Sequence, residues 1–323
     1  MKQPAPLISI IVPFFNIGTK IKKTLSSLLV QDQKDTFEVL FVNDGSSDNS
    51  VEIISTFKDI SLLNYSIINQ ENKGVSAARN TGVIHSKGEY ILFLDSDDHI
   101  NEQFIQRVLI EIKKEPDMIY WGYDSVDEEG KVLQKFCDAY SYCDNVKELL
   151  SAYLSFQTWI WTGSALYKKT FLKKNKLNFT EGKVFSEDIE FIAKSIIKVC
   201  EMVCIHETLS YYVQNPTSIT KKINYKRFQI IHTLKTIENQ LENRSELNLF
   251  LQQFKPTYYW NCVTNLVYHG LEKGLIKKVS MNKEIRKQVK RYKAKTQNES
   301  VKKILFLYSP NLLYKIQQTR GEG

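Results

Sequence analysis

Short apolar runs alternate with polar turns along the first two-thirds of the chain. Continuous apolar runs closed by turn residues read as strands covered on both faces. Residues 7–12 form such a run, ended by Pro13, and residues 37–42, 63–68 and 90–94 form three more. The last of these stops abruptly at Asp95-Ser96-Asp97-Asp98. Between the runs, apolar residues take helical spacing. A helix is expected over residues 19–29, with Thr19 as its cap and Leu25, Leu28 and Leu29 on one face. The turn Asn43-Asp44-Gly45-Ser46-Ser47-Asp48 leads into a second helix, with Asp48 placed to cap it or to cover its first turn, and residues 75–85 predict a third. Repeated strand–helix units predict an α/β fold: a mostly parallel central sheet flanked by helices. Further on, the pattern predicts a helix over 102–114, a strand over 118–123, a hairpin near Lys131-Val132-Leu133, an amphipathic helix over 189–197 and a short apolar stretch over 202–205.

From residue 222 the strand pattern stops. Phe228, Ile231, Leu234, Ile237 and Leu241 recur at helical spacing, and residues 249–271 form a second helical segment rich in aromatics. Charge sharpens this division. Residues 221–323 hold 21 Lys/Arg against 7 Asp/Glu, out of 44 and 36 in the whole chain, so the first 220 residues are net acidic. The expectation is an acidic α/β body over 1–220 and a helical, basic C-terminal domain over 221–323. Basic residues between Lys277 and Lys303, beside VKKILFLYSPNLLYKIQQ, suit a helix lying in the interface of an anionic bilayer. A small bundle that packs on the body, or that forms a homodimer with a second copy, is the other reading.

With 323 residues and 42% hydrophobics, the chain can bury a full core in one large domain plus a smaller one. Its five cysteines are odd in number and contain no CxxC pair, which argues against a disulfide framework or zinc site and for a reducing compartment. The apolar run at the N-terminus is too short for a signal peptide or anchor, and no stretch has membrane-spanning length. The expected location is cytoplasmic, on the inner face of a membrane without crossing it.

Candidate chemistry gathers where strands end, because ligands of open α/β sheets collect at the carboxyl ends of strands. Asp44 follows the second strand; Asp95, Asp97 and Asp98 follow the fourth. Three carboxylates within four positions repel one another and call for a cation. Oxygen ligands suit Mg²⁺ or Mn²⁺, with phosphate completing the shell, whereas a solvated Asx-rich turn needs no ion. Lys73 and Arg79 would serve a nucleotide diphosphate, although a surface ion pair accounts equally for Arg79. Neither GxGxxG after the first strand nor GxxxxGK[ST] occurs, which weighs against dinucleotide-binding and P-loop readings. Glu187-Asp188 at a helix start is either a cap or a catalytic pair, and Trp159, Trp161 and Tyr167 are either core or platforms for sugar rings.

Taken in order, ISIIVPFFN, VNDGSSDNS, ENKGVSAARNTG, YILFLDSDD and the Glu187-Asp188 pair resemble the family 2 glycosyltransferases, inverting enzymes of the GT-A nucleotide-diphospho-sugar fold. The resemblance covers residues 7–220 and is to bacterial enzymes of capsular or surface polysaccharide synthesis. It implies that Pro13, Asn16 and Asp44 line a uridine pocket, with Lys73 and Arg79 near the ribose or diphosphate. Asp95 would face the ribose and Asp97 would carry Mn²⁺ or Mg²⁺, with Asp95, Asp98 and His206 as further metal contacts. Asp188 falls at the position of the general base, with Glu187 in support, and Trp161 and Asp98 shape the donor-sugar or acceptor side. The implied donor is a UDP-sugar, and the implied acceptor a polyprenyl-diphosphate-linked glycan. One departure is Val213, standing where the family often carries a basic residue.

Two other classes fit the residues less well. A sugar-nucleotide nucleotidyltransferase would carry a glycine-rich basic loop where Pro13-Phe14-Phe15-Asn16 stands. A non-enzymatic, basic nucleic-acid- or membrane-binding protein would explain the tail. It would leave unexplained the carboxylates at strand ends, which repel a phosphate backbone, so no nucleic-acid partner is expected.

Overall fold

Ile8–Phe14 (β1) and Phe37–Asp44 (β2) are buried at every position, as strands covered on both faces must be. The computed structural model describes residues 5–183, 185–214, 229–268 and 279–320. The chain divides into two units, Met1–Tyr153 with Gln157–Pro216, and Leu154–Phe156 with Thr217–Gly323.

In the first unit a single sheet also contains β3 (Tyr65–Gln70), β4 (Tyr90–Phe93), β5 (His99–Ile100), β6 (Met118–Val126), β7 (Val132–Lys135), β8 (Ala165–Lys168) and β9 (Met202–Val213). Its order is β3-β2-β1-β4-β8-β6-β9-β5, with β7 on β6. Helices flank it: α1 (Lys22–Leu29), α2 (Ser50–Ser55), α3 (Val75–His85), α4 (Phe104–Ile112), α5 (Phe136–Ala139), α6 (Val146–Leu154), α7 (Lys169–Lys174) and α8 (Glu187–Lys198). This is the expected α/β, GT-A-like class. The parallel run holds for β3, β2, β1 and β4. Beyond it the sheet is mixed, because β8 runs antiparallel between β4 and β6.

The expected hairpin forms, with β7 antiparallel to β6. The apolar stretch over 202–205 opens a strand of twelve residues, held parallel on β6 from Met202 to Val213. Thr19 does not cap α1. It lies within a 3-10 turn, Gly18–Ile21, that precedes the helix, and the turn is tied down by the Gly18 N–H donating to Ser50 Oγ at 2.9 Å. Asp48 does cover the first turn of α2, accepting from the Ser50 N–H at 3.1 Å.

The topology decides where a ligand can sit. β2 and β3 lie on one side of β1, and β4 on the other. The crevice at the carboxyl ends of β1 and β4 is therefore a topological switch point. Asn16, Asp44 and Asp95 all stand at its mouth.

In the second unit the described residues are helical, and the region is rich in Lys and Arg. Helices Gln229–Glu238, Lys255–Tyr268, Lys283–Arg291 and Gln297–Tyr308 bury Leu234, Trp260, Val289 and Phe306. A π-type turn, Phe250–Phe254, leads into the second of these. Asn282 and Thr296 cap the last two, accepting from the N–H groups of Ile285 and Glu299. Phe228, Leu271 and Lys277 lie outside the described residues. Among the described residues no helix is long and apolar enough to cross a membrane.

Candidate active site

Asp44 closes β2 and is buried. Its Oδ1 accepts from Gln70 Nε2 at 2.7 Å and from the Lys73 N–H at 2.9 Å, and its Oδ2 accepts from the Gly74 N–H at 2.8 Å. A carboxylate offers about four acceptor positions; one is spent here on the end of β3 and two on the loop that enters α3. Gly45 sits opposite this loop at φ +77, where an added Cβ would come within 2.9 Å of the Asn72 nitrogen. Asn16, at φ 47, ties the end of β1 to the same region, its Oδ1 accepting from the Ser47 N–H at 2.8 Å. Pro13 is buried within β1. Lys73 joins the site through its backbone, and its side chain is exposed.

Arg79 is the centre of the arrangement. α3 delivers it to the crevice 3% exposed. Its Nη2 donates to Asp95 Oδ1 at 2.6 Å, its Nη1 lies 3.5 Å from Glu187 Oε1, and its guanidinium covers the Phe179 ring at 4.8 Å. Nε and Nη1 make no hydrogen bond. Burial opposes the charge, but Asp95, Glu187 and Asp188 outweigh it and raise the pKa above the ordinary arginine value. The surface-pair reading of Arg79 is thereby replaced: it is a buried bridge between two acidic groups that lie far apart in sequence.

The first group is the aspartate cluster after β4. Burial, reinforced by Asp95, pushes Asp97 up to about 6. Asp98 is 1% exposed. Its Oδ1 accepts from the Val213 N–H at 2.7 Å, while its Oδ2 has no hydrogen-bond partner. Burial, with Asp97 and Asp95 nearby, raises its pKa well above the carboxylate range. Thr24 Oγ1 donates to the carbonyls of Ser96 and Asp98 and fixes the turn from below. The raised pKa values and the orphan oxygen of Asp98 would suit a hard divalent cation. Among the described residues, however, the carboxylates of Asp95, Asp97 and Asp98 do not converge as a metal-ligand group, whereas Asp144, Cys204 and His206 do. Val213 supplies no cation of its own, but its amide positions Asp98.

The second group heads α8. Ser186, in the left-handed region at φ 63, turns the chain so that Glu187 and Asp188 occupy the first helical positions. Burial, then Asp188, pushes Glu187 up to about 7, against the pull of Arg79. Burial likewise raises Asp188, whose Oδ1 accepts from the Ile189 N–H at 2.8 Å.

Trp161 lies against Tyr123 at 5.5 Å and edge-on to Tyr212 at 5.4 Å. Its indole crosses Gly163, where a Cβ would stand 2.5 Å from the ring. Tyr212 itself feels burial first and then Asp98, Asp97 and Asp95, which together hold its phenol up to about 12. By contrast, Trp159 stacks on Tyr153 and Tyr167 is buried against Phe93 and Phe191.

His206 is not brought to the aspartates. Its Nε2 lies 2.8 Å from Asp144 Oδ1, and its ring stacks on Tyr142 at 4.5 Å. Among the described residues it groups instead with Asp144 and Cys204, their ligand atoms all lying within 4.8 Å of one another.

Sequence reasoning did not single out Glu190. It is buried one turn beyond Glu187, with Thr180 Oγ1 donating at 2.7 Å and Lys183 forming an ion pair. These bonds tie the segment before Ser186 to the helix. A charged residue on the apolar face of an amphipathic helix was the available signal.

Comparisons with known proteins bear on the family and the fold. The family profile of glycosyl transferase family 2 matches residues 9–168. The uncharacterized glycosyltransferase EpsJ of Bacillus subtilis is 32% identical over 236 residues, covering 68% of this chain and 64% of that protein. The chain thus spans slightly less than two-thirds of EpsJ. Glycosyltransferase GlyG of Streptococcus pneumoniae is 30% identical over 225 residues, covering 67% of this chain and 73% of GlyG. The crystal structure of Staphylococcus aureus TarS 1-349 in complex with UDP-GlcNAc superposes with a TM-score of 0.69 at 19% identity, covering 98% of this chain and 92% of that one. This likeness is one of fold.

Proposed function

The chain belongs to glycosyl transferase family 2, and we propose that it moves a sugar, with inversion, from a UDP-sugar to a hydroxyl of a lipid-linked glycan during surface polysaccharide synthesis. The observation that carries this reading is Arg79, which joins the aspartate cluster of the switch-point crevice to the acid pair heading α8. Residues 1–220 do the chemistry in this account. Asn16 and the one free acceptor position of Asp44 face the uracil, Pro13 walls the pocket, and Lys73 and Arg79 offer donors to the ribose and diphosphate.

Asp97 would hold the Mn²⁺ or Mg²⁺, with Asp95 and Asp98 beside it. When bound, the ion neutralises charge on the departing diphosphate. Asp188 accepts the proton of the acceptor hydroxyl while that oxygen bonds to the anomeric carbon and the carbon–oxygen bond to phosphate breaks. A base works best with a pKa near the working pH, and burial moves Asp188 in that direction. Glu187 holds Arg79 beside it, and Trp161 shapes the sugar side of the cleft. One displacement inverts the anomeric centre without a covalent intermediate on a second carboxylate, unlike a retaining glycosidase.

The basic tail keeps the enzyme on the cytoplasmic face of an anionic membrane, where a polyprenyl-linked acceptor resides. Val301, Ile304, Tyr308 and Leu312 are exposed at helical spacing in a region rich in Lys and Arg, which suits an interfacial helix. A homodimer through the tail is the competing use of that surface.

Transfer by Asp188→Asn is the test. The variant should bind UDP with Mn²⁺ as the parent does and lose transfer by about 10²–10⁴-fold, the range that removal of a general base gives. Transfer within a few-fold of the parent would rule out Asp188 as the base.

A further inference from the structure

We infer that the hollow framed by β7, β6 and β9 seats a single pyranose ring of the acceptor saccharide; the inference rests on the transferase reading above. The hollow has a volume of about 160 Å³ and is lined by Tyr123, Ser125, Gln134, Tyr140, Tyr212 and Gln214, among others. Strand register puts them there. Ser125 pairs with Gln134 on one side and with Tyr212 on the other. Tyr123 with Ser125, and Tyr212 with Gln214, are each two residues apart, so each pair shares a face of the sheet.

The walls are aromatic. Phe136 meets Tyr123 at 5.7 Å and Tyr140 at 5.5 Å. Ser125 is 7% exposed, yet its Oγ has no hydrogen-bond partner. A buried hydroxyl left unsatisfied costs roughly 1–3 kcal/mol, a cost that a ligand hydroxyl removes on binding. Aromatic faces beside a few directed polar groups match the two kinds of surface on a sugar ring, its C–H face and its hydroxyls. Pockets for larger organic ligands run to about 300–1,000 Å³, so this one takes one ring rather than a chain.

Its position suits an acceptor. Val213, between Tyr212 and Gln214, gives its N–H to Asp98, and Tyr212 touches Trp161. A ring in the hollow therefore lies beside the aspartate cluster, off the strand ends that Asp44 and Asn16 occupy.

The experiment is saturation-transfer NMR with methyl β-D-glucopyranoside, methyl β-D-galactopyranoside and methyl N-acetyl-β-D-glucosaminide, each with saturating UDP and Mg²⁺. At least one should bind the parent, bind Ser125→Ala several-fold more weakly, and fail to bind Tyr140→Ala. The thermal midpoint of Ser125→Ala should equal or exceed that of the parent, since the hydroxyl it removes makes no internal bond. No binding by any of the three, or equal binding by both variants, overturns the inference. In a parallel titration without UDP, displacement of the pyranoside by a UDP-sugar but not by UDP assigns the hollow to the donor and overturns it too. UDP release from UDP-sugars by the parent is followed in parallel. Release without pyranoside binding sinks the acceptor seat alone, and pyranoside binding without release sinks the transferase reading alone.

Discussion

The backbone N–H of Val213 donates to Asp98 Oδ1 at 2.7 Å, tying the end of β9 to an aspartate 115 positions earlier. The bond satisfies one oxygen of a buried carboxylate and leaves the other without a partner. Asp98→Asn keeps the Oδ1 acceptor and the shape while removing the charge. Because burial raises the folded pKa of Asp98, its ionised form destabilises the metal-free protein as pH rises through that value. Asp98→Asn should therefore melt higher than the parent at pH 7.5 in EDTA and bind Mn²⁺ at least about tenfold more weakly, as loss of one charged ligand implies. Calorimetric melting and Mn²⁺ titration in the presence of UDP check both halves.

Glu187 gives a pH dependence with a defined sign. Its folded pKa is raised from 4.5 to about 7, so its contribution to stability is fully present below 4.5 and is lost as pH rises through 7. Glu187→Gln removes that loss. The variant and the parent should have similar urea midpoints at pH 4.5. At pH 8 the variant should be more stable, by on the order of 3 kcal/mol. A difference that is equal at both pH values would contradict the assignment of burial as the cause.

Arg79 makes its two ion pairs from one planar guanidinium, and a lysine ammonium cannot span both. Arg79→Lys should keep a charge in the crevice and therefore fold. Releasing Glu187 from its partner should lower transfer by about 10²-fold, in line with the cost of small misplacements at reacting groups. Steady-state kinetics beside a denaturation curve separates the two effects. Unchanged kcat/KM would show that the bridge is only structural.

Much of this arrangement was legible in the residues, and the limits have physical causes. Parallel strands buried on both faces are continuous apolar runs, so β1, β2 and β4 announced themselves, and with them Asp44 and the aspartates after Phe93. β8 stayed hidden because Ala165–Lys168 is short and sits inside an aromatic-rich segment, and that strand is what makes half the sheet mixed. The identity of Arg79's partners depends on a 108-residue loop closing through tertiary structure, which no local pattern encodes. His206 misled for the related reason that its distance from the aspartates is set by the length of β9, and the sequence suggested only the opening residues of that strand.

The central claim is that the aspartate cluster binds the donor diphosphate beside the acid pair that serves the acceptor hydroxyl. The direct test is UDP release from a panel of UDP-sugars with Mn²⁺, comparing the parent with Asp97→Ala. The prediction is slow release from one sugar, abolished by EDTA and reduced by at least about 10²-fold in Asp97→Ala, because under the proposal Asp97 would hold the ion that stabilises the leaving group. Release that persists in Asp97→Ala, or no release from any UDP-sugar together with no UDP binding, would contradict it.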